Sequence, residues 1–185
     1  MLSWLVPICV LIIVLAIWLT FRDVMDSAII LLTLPGALVG AAIAQWLLGL
    51  PISLSVIVGY ISCLGMAAAT GMVMLTYLRS SIEQSGGLGR INSDIELKIA
   101  VVRGATHRLR PKLLTEVTMI ASLVPIMWST GIGSDVIRPM AAPVLGGILI
   151  ADEVIDLVVP ALFYKVRQWR WRQMQARKSQ EGTLG

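Results

Sequence analysis

LSVIVGYISCLGMAAATGMVMLTYL, residues 54–78, runs without one charged side chain. A helix rises about 1.5 Å per residue, so about 20 residues cross the roughly 30 Å hydrocarbon core of a bilayer. This stretch is therefore long and apolar enough to span a membrane. Outward from it, similar stretches run over roughly 4–21, 27–49, 113–131 and 139–164. The composition agrees: 57% of the residues are hydrophobic and 14% charged, where a soluble domain carries about a quarter charged residues. Mean hydropathy is +0.84. The expected fold is an all-α integral membrane domain of five helices over residues 1–168, with a connecting segment 79–111 and a basic tail 169–185. The connecting segment is too short for a separate domain of ordinary size. The first stretch reads as a permanent helix rather than a secretory signal, because it has no basic residues before it and Phe21-Arg22-Asp23 where a small-residue cleavage site would stand.

Charge placement orients the helices. Of the fifteen Lys and Arg residues, Arg138 alone falls in the connections near 49–54 and 131–139. Arg22, the group from Arg79 to Lys112, and the group from Lys165 to Lys178 fall on the other side. Basic loops stay in the cytoplasm, which puts the N-terminus outside and the C-terminus inside. Trp169 and Trp171 interleave with the tail arginines as interfacial anchors do, so the tail reads as lying on lipid, with no nucleic-acid partner.

Local signals divide the rest. Asp26-Ser27 is a plausible cap for the second helix, which then carries Pro35 and the Gly36-xxx-Gly40 spacing. Residues 65–71 offer a small-residue surface for helix packing. Ser85-Gly86-Gly87-Leu88-Gly89 reads as a hinge, and Ser93-xx-Glu96 as a capping box opening a helix to about 108. Ile95, Ile99 and Val102 share one face of that helix, which predicts an amphipathic helix on the inner membrane surface, with a partner-docking helix as the alternative. Pro111 suits the first turn of the next helix. His107 at this junction reads as a solvated side chain. Pro125, Pro143, Gly146-Gly147 and Pro160 interrupt the last two stretches, as in helices that move or line a cavity.

Three acids, Asp152, Glu153 and Asp156, sit near the middle of the last stretch. Each costs about 2.5–3.5 kcal/mol at the centre of a membrane helix, about 9 together, whereas about twelve strongly apolar residues return about 6. That helix needs neighbours, water or protonated acids. The spacings set Asp156 beside both others, and crowded carboxylates in a low dielectric take up protons, the chemistry of a proton-coupled site. Lys112 and Glu116, four apart, can pair along one helix face, either as a neutralised pair or as part of a proton path. Cys9 and Cys63 lie in apolar stretches and read as small buried residues. Met66 and Met74 can share a face and thioethers suit copper(I), but ordinary core filling is the simpler reading. No nucleophile–base set, phosphate-binding loop or metal-ligand cluster stands in the sequence, so neither an enzyme nor a cofactor is expected.

Gly65-Met-Ala-Ala-Ala-Thr-Gly-Met-Val-Met-Leu75, Arg108-Leu-Arg-Pro-Lys112, Leu123-Val-Pro-Ile-Met-Trp-Ser-Thr-Gly-Ile-Gly-Ser-Asp-Val136 and Met140-Ala-Ala-Pro-Val-Leu-Gly-Gly147 follow in that order. With Phe21-Arg22 and Leu34-Pro-Gly-Ala-Leu-Val-Gly40 they resemble the heavy-metal efflux branch of the RND superfamily, the CusA/CzcA type. The resemblance covers about residues 5–168. It implies the last five of that family's twelve membrane helices, in the bacterial inner membrane. Complete members are proton-driven trimers coupled to a periplasmic adaptor and an outer-membrane channel, so five helices alone are expected to export nothing.

The departures bear on mechanism. The resemblance makes Lys112 the relay lysine, but Ala69 stands where copper-type members carry a proton-transfer Glu. Ile137 stands where copper exporters carry a Met, which counts against copper(I). Asp152, Glu153 and Asp156 fall outside the relay the resemblance carries over. Two readings stay open: they replace the missing Glu, or they mark a variant branch. Two functions follow, one piece of a split or truncated exporter, with the remaining subunit as partner, or a membrane accessory protein or remnant that transports nothing.

Overall fold

The computed structural model describes residues 2–87 and 93–181. Its elements are all helical: α1 (Leu2–Phe21), α2 (Val24–Leu47), α3 (Leu54–Gln84), α4 (Asp94–Met127), α5 (Ser134–Gly146), a π-helical stretch Gly147–Ala151, and α6 (Asp152–Glu181). By length and composition α2 and α3 can cross a bilayer, while α1 is apolar over the shorter run Val6–Phe21. The remaining expected spans are split by the π stretch or joined to charged segments.

The connections explain the helix ends. Arg22 takes φ 49 at the reversal between α1 and α2. Asp23, not Asp26-Ser27, caps α2, accepting from the amide of Met25 at 3.1 Å. The Ser27 amide already donates to the Asp23 carbonyl at 3.0 Å, so the helix starts before the expected cap. Ser53 caps α3 and Ser93 caps α4, the latter accepting from the amides of Ile95 and Glu96. Gly86 and Gly87 take φ of 92 and 77 after α3, while Leu88 and Gly89 of the expected hinge lie outside the described residues.

The largest departure concerns α4. The surface helix and the fourth span are one helix, with Pro111 inside it. Proline inside a helix deprives the carbonyl four residues earlier of its partner. Here that carbonyl belongs to His107, which is exposed. Ile95, Ile99 and Val102 do form an outward apolar face, but Leu97, Ala100 and Val101 on the other side are buried. Gly104 makes the contact close: a Cβ there would stand 3.1 Å from the Tyr77 carbonyl oxygen and 3.0 Å from the Ser81 Cβ. Ser81 donates to the Ala100 carbonyl at 2.6 Å. The start of α4 is thus docked on the end of α3 rather than lying free.

α3 is central, touching α2, α4, α5 and α6. The core gathers Ile30, Leu34, Ala37, Ala67, Ala68, Leu75, Leu78, Ile155, Val159 and Phe163. Small residues set the spacing: a Cβ on Gly146 would stand 2.7 Å from the Gly40 carbonyl oxygen, so α5 lies directly on α2. Large apolar side chains point outward, among them Leu32 at 67%, Leu114 at 74% and Leu157 at 74% exposure. A soluble monomer rarely carries so much exposed apolar surface.

Candidate functional site

Continuity of α4 through Pro111 puts Arg108, Lys112 and Glu116 on one stripe, four residues apart. All three are buried, as is Asp152 at the start of α6. Asp156 lies one turn further along α6, its side chain 9% exposed. The Lys112 Nζ donates to the Asp156 Oδ2 at 2.7 Å and lies 3.7 Å from the Glu116 Oε2. The Arg108 Nη1 is 3.7 Å from the Asp156 Oδ1. α3 supplies the third wall, with Met66, Ala69, Thr70, Val73 and Tyr77. Together these helices line an outward-opening cavity of about 310 Å³ that includes Asp152 and Glu116. Thr70 and Asp152 line it together.

The cluster is incompletely satisfied. Arg108 Nη1, Glu116 Oε2 and Asp156 Oδ1 are buried without a hydrogen-bond partner. Such atoms are uncommon in folded proteins, and each calls for an occupant or a function. Two cations meet three carboxylates, and the π stretch ends immediately before Asp152. π turns inside helices recur at functional sites.

Several expected residues come together and others do not. Lys112, Glu116 and Asp152 line the cavity, and Asp156 joins them through Lys112. Glu153 does not join them: it is exposed, on a stripe with Leu149 and Leu157. Successive helix residues are about 100° apart, and α6 packs on α3 and α4 through the side that carries Asp152 and Asp156. Met66 lines the cavity while Met74 is in the core, so the two do not share a face. No group of three His, Cys, Asp or Glu suited to a metal ion is present among the described residues.

A second charged group closes the opposite region of the bundle. Asp26 is fully buried on α2, and its Oδ2 accepts from the Arg79 Nε at 2.6 Å and the Arg167 Nη2 at 2.9 Å. Arg170 donates twice to Asp23, at 2.9 and 3.0 Å. Those hydrogen bonds hold the Asp23 carboxyl below its ordinary range. Tyr164 and Gln168 donate to Asp94 at 2.9 and 2.8 Å. Residues 169–181 are thus the end of α6, clamped by Arg170 to the α1–α2 corner, with Trp171 against the core and Trp169 exposed. The start of the expected lipid-lying tail, Arg170 and Trp171, packs on the bundle instead, because Asp23 on the corner offers Arg170 a direct partner. Sequence reading missed Arg108, Asp26 and the Lys112–Asp156 pair; the four-residue spacing of 108, 112 and 116 was the available signal for the first.

Three comparisons bear on identity. A family model described as "AcrB/AcrD/AcrF family" matches residues 1–167. The chain is similar to the cation efflux system protein CusA of Escherichia coli K12, 38% identical over 164 residues, covering 88% of this chain and 16% of the relative. It is 35% identical over 158 residues to the cobalt-zinc-cadmium resistance protein CzcA of Cupriavidus metallidurans, covering 85% of this chain and 14% of the relative. Among solved structures, a crystal structure of a heavy metal efflux pump superposes with a TM-score of 0.72 at 32% identity, over 90% of this chain and 16% of that one. The chain therefore spans about a sixth of the length of the relatives it matches.

Proposed function

The chain belongs to the AcrB/AcrD/AcrF family, in its heavy-metal efflux branch, and from that membership we propose that it forms the last five membrane helices of a proton-driven exporter of heavy-metal cations. Residues 1–168 make the membrane domain, with the N-terminus in the periplasm and the C-terminus in the cytoplasm of a bacterium. The fifth span is the composite of α5, the π stretch and the first half of α6. Two features support that orientation. The helix ends bearing Asp23, Asp26, Arg79, Asp94, Arg167 and Arg170 gather on one side, and that side carries nearly all the basic residues. The exposed apolar side chains then face lipid or the rest of the transporter.

The observation that carries the reading is the buried, underpartnered cluster of Arg108, Lys112, Glu116, Asp152 and Asp156 beside an open cavity. Charged groups at membrane depth are expensive and mark ion or proton paths. Lys112, Glu116, Asp152 and Asp156 serve as the relay; Glu153, turned outward, does not. Coupling needs the remaining membrane and periplasmic parts, and through them an adaptor and an outer-membrane channel, so the chain alone is not competent. The test is an assembly reconstituted in proteoliposomes with the complementary polypeptide. Replacing Lys112, Glu116, Asp152 and Asp156 with neutral isosteres abolishes metal-dependent proton flux while assembly persists. Undiminished proton-driven transport by the quadruple variant overturns the relay, and export by the unaccompanied chain overturns the need for a partner.

A further inference from the structure

We infer that Asp152 is the one carboxyl of this cluster that takes up and returns a proton, while Asp156 serves as the counter-charge of Lys112 and Arg108. The inference rests on the relay reading for its role in transport, but its test does not.

Charge balance comes first. With every group ionised, Arg108 and Lys112 supply two positive charges against three negative ones on Glu116, Asp152 and Asp156. A site walled by apolar helices tolerates an uncompensated charge poorly, and addition of one proton makes it neutral. The geometry then selects the group. Asp156 has a cation on each oxygen, Lys112 at 2.7 Å and Arg108 at 3.7 Å. Glu116 has Lys112 at 3.7 Å. Asp152 is 7% exposed and makes no ion pair among the described residues. It faces Thr70, Tyr77 and Cys63 from α3, and Arg108, Lys112 and Glu116 from α4, with Asp156 on its own helix. α2 brings only Asp26, whose Oδ2 two arginines hold elsewhere. Asp152 is therefore the carboxyl with least to lose by protonation.

The Glu116 Oε2, nine-tenths buried and on the cavity wall, has Lys112 only at ion-pair distance and accepts no hydrogen bond among the described residues, which is the second, independent sign of an exchangeable site. A protonated Asp152 becomes a hydroxyl donor beside a cavity that opens outward, and the proton it releases leaves through that cavity. Arg108 acts as a positioning residue, through Asp156 rather than on the proton itself.

The experiment uses the full chain in lipid nanodiscs and follows the carbonyl stretch of protonated carboxylic acids by infrared difference spectroscopy across pH. One buried acid band is expected; it shifts with carbon-13 aspartate labelling and is lost in Asp152→Asn. Asp152→Glu keeps an acid band, which no longer responds to labelled aspartate, so the assignment survives if the Asn variant does not fold. Charge balance fixes the signs elsewhere. Asp156→Asn and Glu116→Gln remove a negative charge and move the midpoint to lower pH. Arg108→Gln removes a positive charge and moves it to higher pH. A band unmoved by aspartate labelling, a band persisting in folded Asp152→Asn, or no titrating band at all overturns the inference. Failure of the exporter reading alone leaves these spectra unchanged.

Discussion

Replacing Asp26 by Asn keeps the size and shape of a fully buried side chain and removes its charge. In the native protein its Oδ2 accepts from Arg79 at 2.6 Å and Arg167 at 2.9 Å, and the two guanidiniums also lie over Phe21 and Phe163, at 5.0 and 4.9 Å from the ring centroids. A hydrogen bond to a charged partner contributes about 1.5–3 kcal/mol, and breaking a buried pair by removing one partner costs about 3–5 kcal/mol. Arg79 has Asp23 at 3.9 Å as a substitute, so the cost falls mainly on Arg167, whose side chain is 12% exposed. The expected loss is about 3 kcal/mol, or roughly a hundredfold in the folding equilibrium. Reversible unfolding in mixed micelles, followed by the fluorescence of the six tryptophans, measures it. A double-mutant cycle with Arg167→Gln should return coupling of about 1 kcal/mol or more. Arg170→Gln, whose partner Asp23 is 25% exposed, should cost only about 0.2–1 kcal/mol. If Asp26→Asn costs less than about 0.5 kcal/mol, the range of an ordinary surface substitution, the clamp does not hold α6 in place.

Other contacts of the bundle set further outcomes. Gly104→Val drives a side chain into Leu78 and Ser81 and should cost about 1–3 kcal/mol, whereas Gly65→Ala, with nothing within 4 Å, should gain up to about 1 kcal/mol from helix propensity. Because Arg170 depresses the Asp23 carboxyl, that pair stabilises the fold fully above the unfolded value of about 3.9 and stops doing so as pH falls through the lower folded value. Asp23→Asn should therefore flatten the acid limb of a stability–pH curve; an unchanged limb assigns it to other groups. Cysteines at Ser53 and Ser85, in a background without Cys9 and Cys63, should react with an impermeant maleimide from opposite membrane faces, and labelling from the same face refutes the proposed topology. Glu153→Leu, on the stripe of exposed Leu149 and Leu157, should stabilise the chain alone in lipid by about 2.5–3.5 kcal/mol; a loss of that size means a group on this chain already holds the carboxylate.

The helical class was legible because hydropathy is summed over many residues. Residues 27–49 and 54–78 needed no knowledge of partners, and α2 and α3 occupy nearly those bounds. What failed depended on partners distant in sequence. Asp26 looked like a cap because a carboxylate before an apolar run normally is one. It is instead buried by Arg79 and Arg167, 53 and 141 residues away. Pro111 looked like a helix start because a missing amide costs nothing there. Its place inside α4 leaves the carbonyl of His107, an exposed residue, without an amide partner, which no local pattern announces. That one boundary hid the stripe of Arg108, Lys112 and Glu116, since a residue assigned to a loop is not read in helical register with a span. The pairing of Lys112 with Glu116 was readable from the spacing; the stronger contact with Asp156 joins two helices, and no local pattern specifies it.

The two charged groups of the bundle differ in a way that separates holding from exchanging. At the helix ends, Arg79, Arg167 and Arg170 face Asp23 and Asp26, with Asp94 held nearby by Tyr164 and Gln168, where water and lipid headgroups can supply counter-charges. Between α3, α4 and α6 three carboxylates meet two cations, and the surrounding walls offer chiefly apolar side chains and the hydroxyls of Thr70, Tyr77 and Thr115. Any imbalance in the first group is relieved by counter-ions from outside. The second is relieved by binding a cation, and a proton is the one that forms a covalent bond and needs no further ligands. A cluster made neutral by losing one acid, or by gaining one lysine, would be equally well packed and would have no reason to bind a proton. The odd carboxylate, more than the presence of buried charge as such, makes this site suited to coupling.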